Sequence, residues 1–237
     1  MAALFTLEIP KLAAPLRQKV ESVLREAIIN GRLEPGQRLT ERELVEMTGV
    51  SRTLIREALR QLESEGLIAV IPNKGPVVRE LTAAEGQELY AIRAVLEGLA
   101  ARLFVEHADE AAVDSLMQAA QAVIAAYENG DFPLALETKN RFYDVLFEGA
   151  GSETLSAMLN TLHARIWRWR ALGVTHPQRS PQRSKQAVRG LKDICAAIRK
   201  RDAAAAEHAT REEADRGAAE AMRLLAATAR AARAAHA

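Results

Sequence analysis

Apolar positions recur every three or four residues along most of the chain, and the period changes once. Leu16, Val20, Val23, Leu24, Ala27 and Ile28 share one helical face, with Pro15 and Gly31 suiting its two ends. After the turn Glu34-Pro35-Gly36-Gln37, Thr40 and Glu43 form a capping-box pair that opens a short helix through Leu44 and Met47, closed by Gly49. Ser51 then caps a third helix, with Leu54, Ile55, Ala58, Leu59 and Leu62 on one side and Gly66 at its end. Leu67, Ile68, Val70 and Ile71, the turn Pro72-Asn73-Lys74-Gly75-Pro76, and Val77 with Val78 predict two short strands. From Thr82, which repeats the capping box with Glu85, the pattern is helical to the end, broken into about six helices at 107–109, 129–131, 149–151, 173–180 and 201–202.

This predicts a mostly α protein. An N-terminal arm (1–10) precedes a winged helix-turn-helix (11–79) of three helices and a two-stranded wing. An all-α helical bundle (82–225) and an alanine-rich tail (226–237), expected to fray or to extend a solvated helix, follow.

On the third helix, Arg52, Thr53, Arg56 and Arg60 cluster opposite the apolar side. A helix that enters the major groove needs this division: one face anchored to its own domain, the other offering hydroxyls and guanidinium forks to phosphates and base edges.

Charge sharpens the picture when summed by segment. Residues 81–159 carry 4 basic against 13 acidic side chains, whereas 160–201 carry 11 against 1. Either the helices pair by charge within one domain, or arginines gather to receive an anion. A single cysteine, Cys195, excludes an internal disulfide and a multi-thiolate zinc site, and its isoleucine neighbours suggest a buried thiol. No apolar run is long enough for a membrane span and the start lacks signal-peptide character, so a cytoplasmic protein is expected.

The segments Leu33-Glu34-Pro35-Gly36-Gln37-Arg38-Leu39, Glu41-Arg42-Glu43-Leu44, Gly49-Val50-Ser51-Arg52-Thr53, Arg56-Glu57-Ala58-Leu59 and Glu65-Gly66-Leu67 closely resemble the winged helix-turn-helix of GntR-type bacterial transcription regulators. The resemblance implies contacts to operator DNA from Arg42, Ser51, Arg52, Thr53 and Arg56, and from the wing tip Asn73-Lys74-Gly75. There the glycine lets the backbone approach the minor groove and Lys74 seeks phosphate.

The helical remainder resembles the FCD-type sensing domain of the FadR-like subfamily through the stretch Leu89 to Glu97, Arg141-Phe142-Tyr143 with Gly149-Ala150-Gly151, and Ala197-Ile198 leading to Asp202. Many such domains hold a divalent metal through an aspartate and a histidine four residues apart and two later histidines, and the metal holds a carboxylate ligand. Aligned on Phe142 and Asp202, those positions carry Lys139, Tyr143, Leu191 and Glu213. Lysine and leucine are wrong for such an ion, so no metal and no cofactor are expected. Instead, Lys139, Tyr143, Arg93 and Arg165 are expected to line a bundle cavity for an anionic effector, a carboxylate by analogy. The competing reading is a Lys139 to Glu213 ion pair that simply fills the old site.

The histidines His107, His163, His176, His208 and His236 form no metalloprotease-like pair, and only His208 with Glu212 has i,i+4 spacing. Trp167 and Trp169 lie two residues apart, so on a helix one packs inward and the other lies near a surface. The expected function is a homodimeric, non-enzymatic transcription regulator that binds double-stranded operator DNA and responds to a small molecule. A ligand-independent constitutive DNA-binding dimer is the alternative.

Overall fold

A computed structural model describes residues 14–29 and 31–235, which form nine helices and one two-stranded sheet. The expected arm at 1–10 and His236 lie outside the described residues. The chain divides into two compact units, with the boundary between Glu80 and Leu81.

The first unit contains α1 (Ala14–Ile29), α2 (Glu41–Thr48), α3 (Arg52–Ser64), β1 (Ile68–Ile71) and β2 (Gly75–Val78). Its core draws Val20, Leu24 and Ile28 from α1, Leu44 from α2, and Ile55, Ala58, Leu59 and Leu62 from α3, closed by Ile68 and Val78 of the sheet. The strands pair antiparallel with Ile68 opposite Val78 and Ile71 opposite Gly75. A bidentate pair from Arg25 to Glu65, with Nε–Oε2 at 2.9 Å and Nη2–Oε1 at 2.7 Å, ties α1 to the end of α3. At the start of α2, Thr40 Oγ1 accepts from the Glu43 amide, but the Glu43 carboxylate takes the Thr40 hydroxyl proton at 2.6 Å, so the cap closes through the side chain.

The second unit contains α4 (Ala83–His107), α5 (Glu110–Glu128), α6 (Phe132–Gly149), α7 (Glu153–Thr175), α8 (Pro181–Arg199) and α9 (Ala203–Ala235). Side-chain caps from Thr82, Asp109, Asp131 and Ser152 start four of them, and Thr82 with Glu85 completes a full capping box. Phe104, Leu116, Phe142, Tyr143, Leu146 and Ile198 fill the bundle core. Trp169 is buried and Trp167 half-buried. The inner ring packs so tightly on Gly86 that a Cβ there would lie 1.3 Å from a Trp169 ring carbon. The alanine-rich stretch 226–235 continues α9, as the best helix-forming residue favours. Cys195 is half-buried rather than fully buried, and partial burial pushes its thiol up to about 11.

Candidate functional site

The first unit presents one cationic surface. Gly49, in the left-handed conformation at φ 71°, ends α2 and turns the chain sharply into Ser51, whose hydroxyl accepts from the Leu54 amide to begin α3. With Ile55, Ala58, Leu59 and Leu62 inside, the helix period puts Arg52, Thr53, Arg56 and Arg60 outside, and all four are exposed. Arg42 of α2 is exposed too. The guanidinium of Arg56 forks onto Glu41, Nε–Oε1 3.0 Å and Nη2–Oε2 3.1 Å, and this hydrogen-bonded arginine holds the Glu41 carboxyl below its ordinary value. At the wing tip Asn73 (φ 63°) and Gly75 (φ 82°) both lie in the left-handed region, leaving Lys74 exposed at the apex of the turn.

In the second unit, ionisable side chains meet inside the bundle. Arg93 and Glu97, one turn apart on α4, form a buried bidentate pair at 2.7 and 3.1 Å, and Arg93 Nη2 also donates to the Tyr143 hydroxyl at 3.3 Å. His163 of α7 bridges Glu97 Oε1, 2.5 Å from its Nε2, and Arg170 Nη1, 3.1 Å from its Nδ1. Burial, followed by the charge of Arg170, pushes His163 down to about 3, so the ring is neutral. An arginine can only donate, so Nδ1 accepts and the Nε2 proton goes to Glu97. Burial opposes the Glu97 charge, yet Arg93 and His163 hold its carboxyl well below the carboxylate range.

A second cluster lies on α6, α8 and α9. Glu213 Oε1 accepts from Lys139 Nζ at 3.2 Å and from Arg183 Nη2 at 2.6 Å, and these two cations outweigh burial to keep it ionised. Two neighbouring hollows adjoin the clusters. The smaller is lined by Lys139, Tyr143, Leu191 and Glu213 among others. The larger, partly open, has Arg93, Lys139, Arg170, Arg179 and Arg183 in its wall, with Tyr90, Tyr127 and Trp169 as aromatic surface and Gly217 in its lining. Five cationic side chains and no carboxylate face this cleft.

The family assignment follows from comparing this two-part architecture with known proteins. Residues 16–78 match the model of bacterial regulatory proteins of the gntR family, and residues 88–216 match the FCD domain. The chain belongs to the GntR family. This GntR regulator is 33% identical over 158 residues to the HTH-type transcriptional regulator YdhC of Bacillus subtilis, covering 66% of this chain and 70% of the relative. It is 28% identical over 195 residues to the HTH-type transcriptional repressor RspR of Escherichia coli, covering 82% and 84%. Among solved structures, Escherichia coli McbR superposes with a TM-score of 0.71 at 26% identity, covering 84% of this chain and 93% of that one. The GntR regulator is therefore a transcriptional regulator with a DNA-binding helix-turn-helix and an FCD domain.

The four positions that correspond to the family's metal ligands converge on the smaller hollow, but their side chains do not fit a divalent ion. An ammonium and an aliphatic chain cannot coordinate, Tyr143 is pushed up by burial and by Glu97 and so stays a neutral phenol, and Glu213 is already claimed by two cations. Among the described residues no three His, Cys, Asp or Glu side chains gather as a ligand set.

Of the residues expected at the effector site, Arg93, Lys139, Tyr143 and Glu213 adjoin one or both hollows, while Arg165 lines neither. Two residues along α7 from His163, Arg165 sits about 160° round the helix from the inward face. The cations Arg170, Arg179 and Arg183, with His163 and Glu97 behind them, are the members that sequence reasoning missed. His163 and Arg170 are seven residues apart, hence on one face with Ile166, and that periodicity was the available signal.

Proposed function

We propose that this GntR regulator is a cytoplasmic homodimer, working by binding rather than catalysis, whose affinity for operator DNA is set by a small anionic metabolite held in the helical unit without a metal ion. The observation that carries the reading is the larger cleft, with five cationic side chains facing inward and no carboxylate among them. A carboxylate or another compact anion suits guanidinium forks better than any neutral ligand.

On the DNA side, α3 enters the major groove. Arg52 and Thr53 reach base edges and Ser51 and Arg42 fix register on the backbone. Arg56 adds a contact from its remaining donor, and Asn73, Lys74 and Gly75 follow the phosphates toward the minor groove. A single helix buries too little surface for tight specific binding, so two copies read two half-sites about 34 Å apart. Support for the dimer comes from α4, where Ile92, Val95 and Leu99 form an exposed apolar stripe at i, i+3 and i+7 that a second copy of the chain would cover. A ligand acts by favouring one of two placements of the DNA-binding heads, because equal affinity for both would change nothing.

The constitutive reading draws on the Lys139 to Glu213 pair at 3.2 Å, which fills the family's metal position as a silent site would. Against it stand Arg170 Nη2 and Arg183 Nη1, buried donors without a hydrogen-bond partner among the described residues. An operator selected from randomised duplexes, then titrated with and without a carboxylate panel in the presence of EDTA, separates the two. An anion-dependent shift in affinity that survives chelation supports the sensor. Affinity unmoved by every anion supports the constitutive dimer.

A further inference from the structure

The larger cleft allows the ligand to be described more closely, on the premise that the helical unit is an anion sensor. Its five cations are not equally neutralised. Arg93 is matched by Glu97. Arg179 donates to the Gly173 carbonyl and the Ser184 hydroxyl and lies over the rings of Tyr127 and Phe132. Lys139 and Arg183 share the one carboxylate of Glu213, and among the described residues Arg170 hydrogen-bonds to His163 and lies over the ring of Tyr143. Three positive charges in the wall therefore lack a carboxylate partner, at Arg170, at Arg179 and at the Lys139 and Arg183 pair. The first and the last each hold a buried guanidinium nitrogen without a hydrogen-bond partner among the described residues, Arg170 Nη2 and Arg183 Nη1, and Arg183 is only 5% exposed. A buried donor left empty is costly, which marks these atoms as places for ligand oxygens.

Gly217 of α9 lines the same cleft. A Cβ built there would stand in ordinary contact, 3.6 Å from Arg183 Nη2 and 3.9 Å from Arg93 Nη1, so a longer side chain at this position would take up space beside the two guanidinium groups. Tyr90, Tyr127 and Trp169 supply flat walls for a carbon body.

We infer that the ligand of this site is a small dianion, with one acidic group on Arg170, a second on Arg183 beside Lys139, and a flat or short carbon body against Trp169. Recognition is thereby moved from the family's metal position into the adjoining cleft.

The test uses the full-length dimer in a Trp167→Phe background, so that Trp169 alone reports by fluorescence, with calorimetry in parallel. The probes are matched pairs, benzoate with isophthalate and valerate with glutarate. The expected result is dicarboxylate binding about tenfold or more tighter than the matched monocarboxylate, with the preference lost in Arg183→Gln. Gly217→Leu should block both members of each pair while melting cooperatively at or above the parent temperature, which covers the case in which Arg183→Gln fails to fold. Equal affinity within each pair, or dicarboxylate binding untouched by Gly217→Leu, would overturn the dianion while leaving an anion sensor in place. No binding by any probe at millimolar concentration would sink both readings.

Discussion

Arg56 of α3 and Glu41 of α2 face each other across the turn of the helix-turn-helix, locked by two hydrogen bonds of 3.0 and 3.1 Å. The pair sits on the exposed surface, so it orients the guanidinium rather than supporting the fold. Glu41→Gln should leave the melting temperature nearly unchanged and free one more cation for phosphate. The slope of log affinity against log salt should steepen by about one. An unaltered slope would mean that releasing Arg56 from Glu41 adds no phosphate contact.

Among the described residues no carboxylate clamps Arg52 as Glu41 clamps Arg56, and the base-reading role is proposed for it. Arg52→Ala should cost about 1 to 3 kcal/mol on the selected operator and flatten discrimination at one position of each half-site. Lys74→Ala should instead weaken all sequences alike and reduce the salt slope by about one. Titrations of matched and mismatched duplexes at several salt concentrations distinguish the two behaviours.

Glu213, 3% exposed, holds Lys139 and Arg183 at once. Glu213→Ala leaves buried Arg183 and half-buried Lys139 without their shared partner and should destabilise the helical unit by about 3 to 5 kcal/mol in urea denaturation. Lys139→Met should cost much less, because Arg183 still satisfies the carboxylate. Similar losses for both would show that Arg183 does not hold Glu213.

Acid should act through His163. Its folded value, held near 3 by burial, lies below the ordinary value of about 6.5, so the unfolded chain takes up a proton that the folded chain refuses. The stability this gives is complete above about pH 6.5 and is lost as the pH falls toward 3. Glu97 and Glu213, both depressed, add a further loss below the ordinary carboxylate range. His163→Gln, which keeps an amide donor for Glu97, should flatten the upper part of the curve, and melting temperatures at a series of pH values would show whether it does.

The α4 stripe gives the dimer its test. Val95→Asp places a charge in the middle of Ile92, Val95 and Leu99 and should shift sedimentation from dimer to monomer, with operator affinity falling in step. A variant that stays dimeric would send the interface to another face of the bundle.

The helices were legible because each rule acts locally: Ser51 and Thr82 announce their caps, Gly49 its turn, and the apolar face of α3 its cationic opposite. The exposed cationic face of α3 could be read in the same way, since exposed side chains on one helix need only the period. The Arg56 clamp was not readable, because Glu41 lies on another helix 15 residues away. The charged clusters inside the bundle were harder still. Lys139 and Glu213 are 74 residues apart, and whether they meet depends on how α6 and α9 pack. Arg179, in the segment leading into α8, follows no helical period at all, so its place over Tyr127 emerges only from the folded bundle.

On the proposed reading, Lys139, Tyr143, Leu191 and Glu213 stand where FCD-type relatives hold a metal ion, and that has a consequence for the cell. A coordinated ion can be stripped by a chelator, swapped for a tighter-binding competitor or withheld when the supply runs short. An ammonium on a carbon chain can be none of these, because it is part of the polypeptide itself. Under the proposed metal-free mechanism, such a regulator would answer to its anion through iron limitation and zinc excess alike.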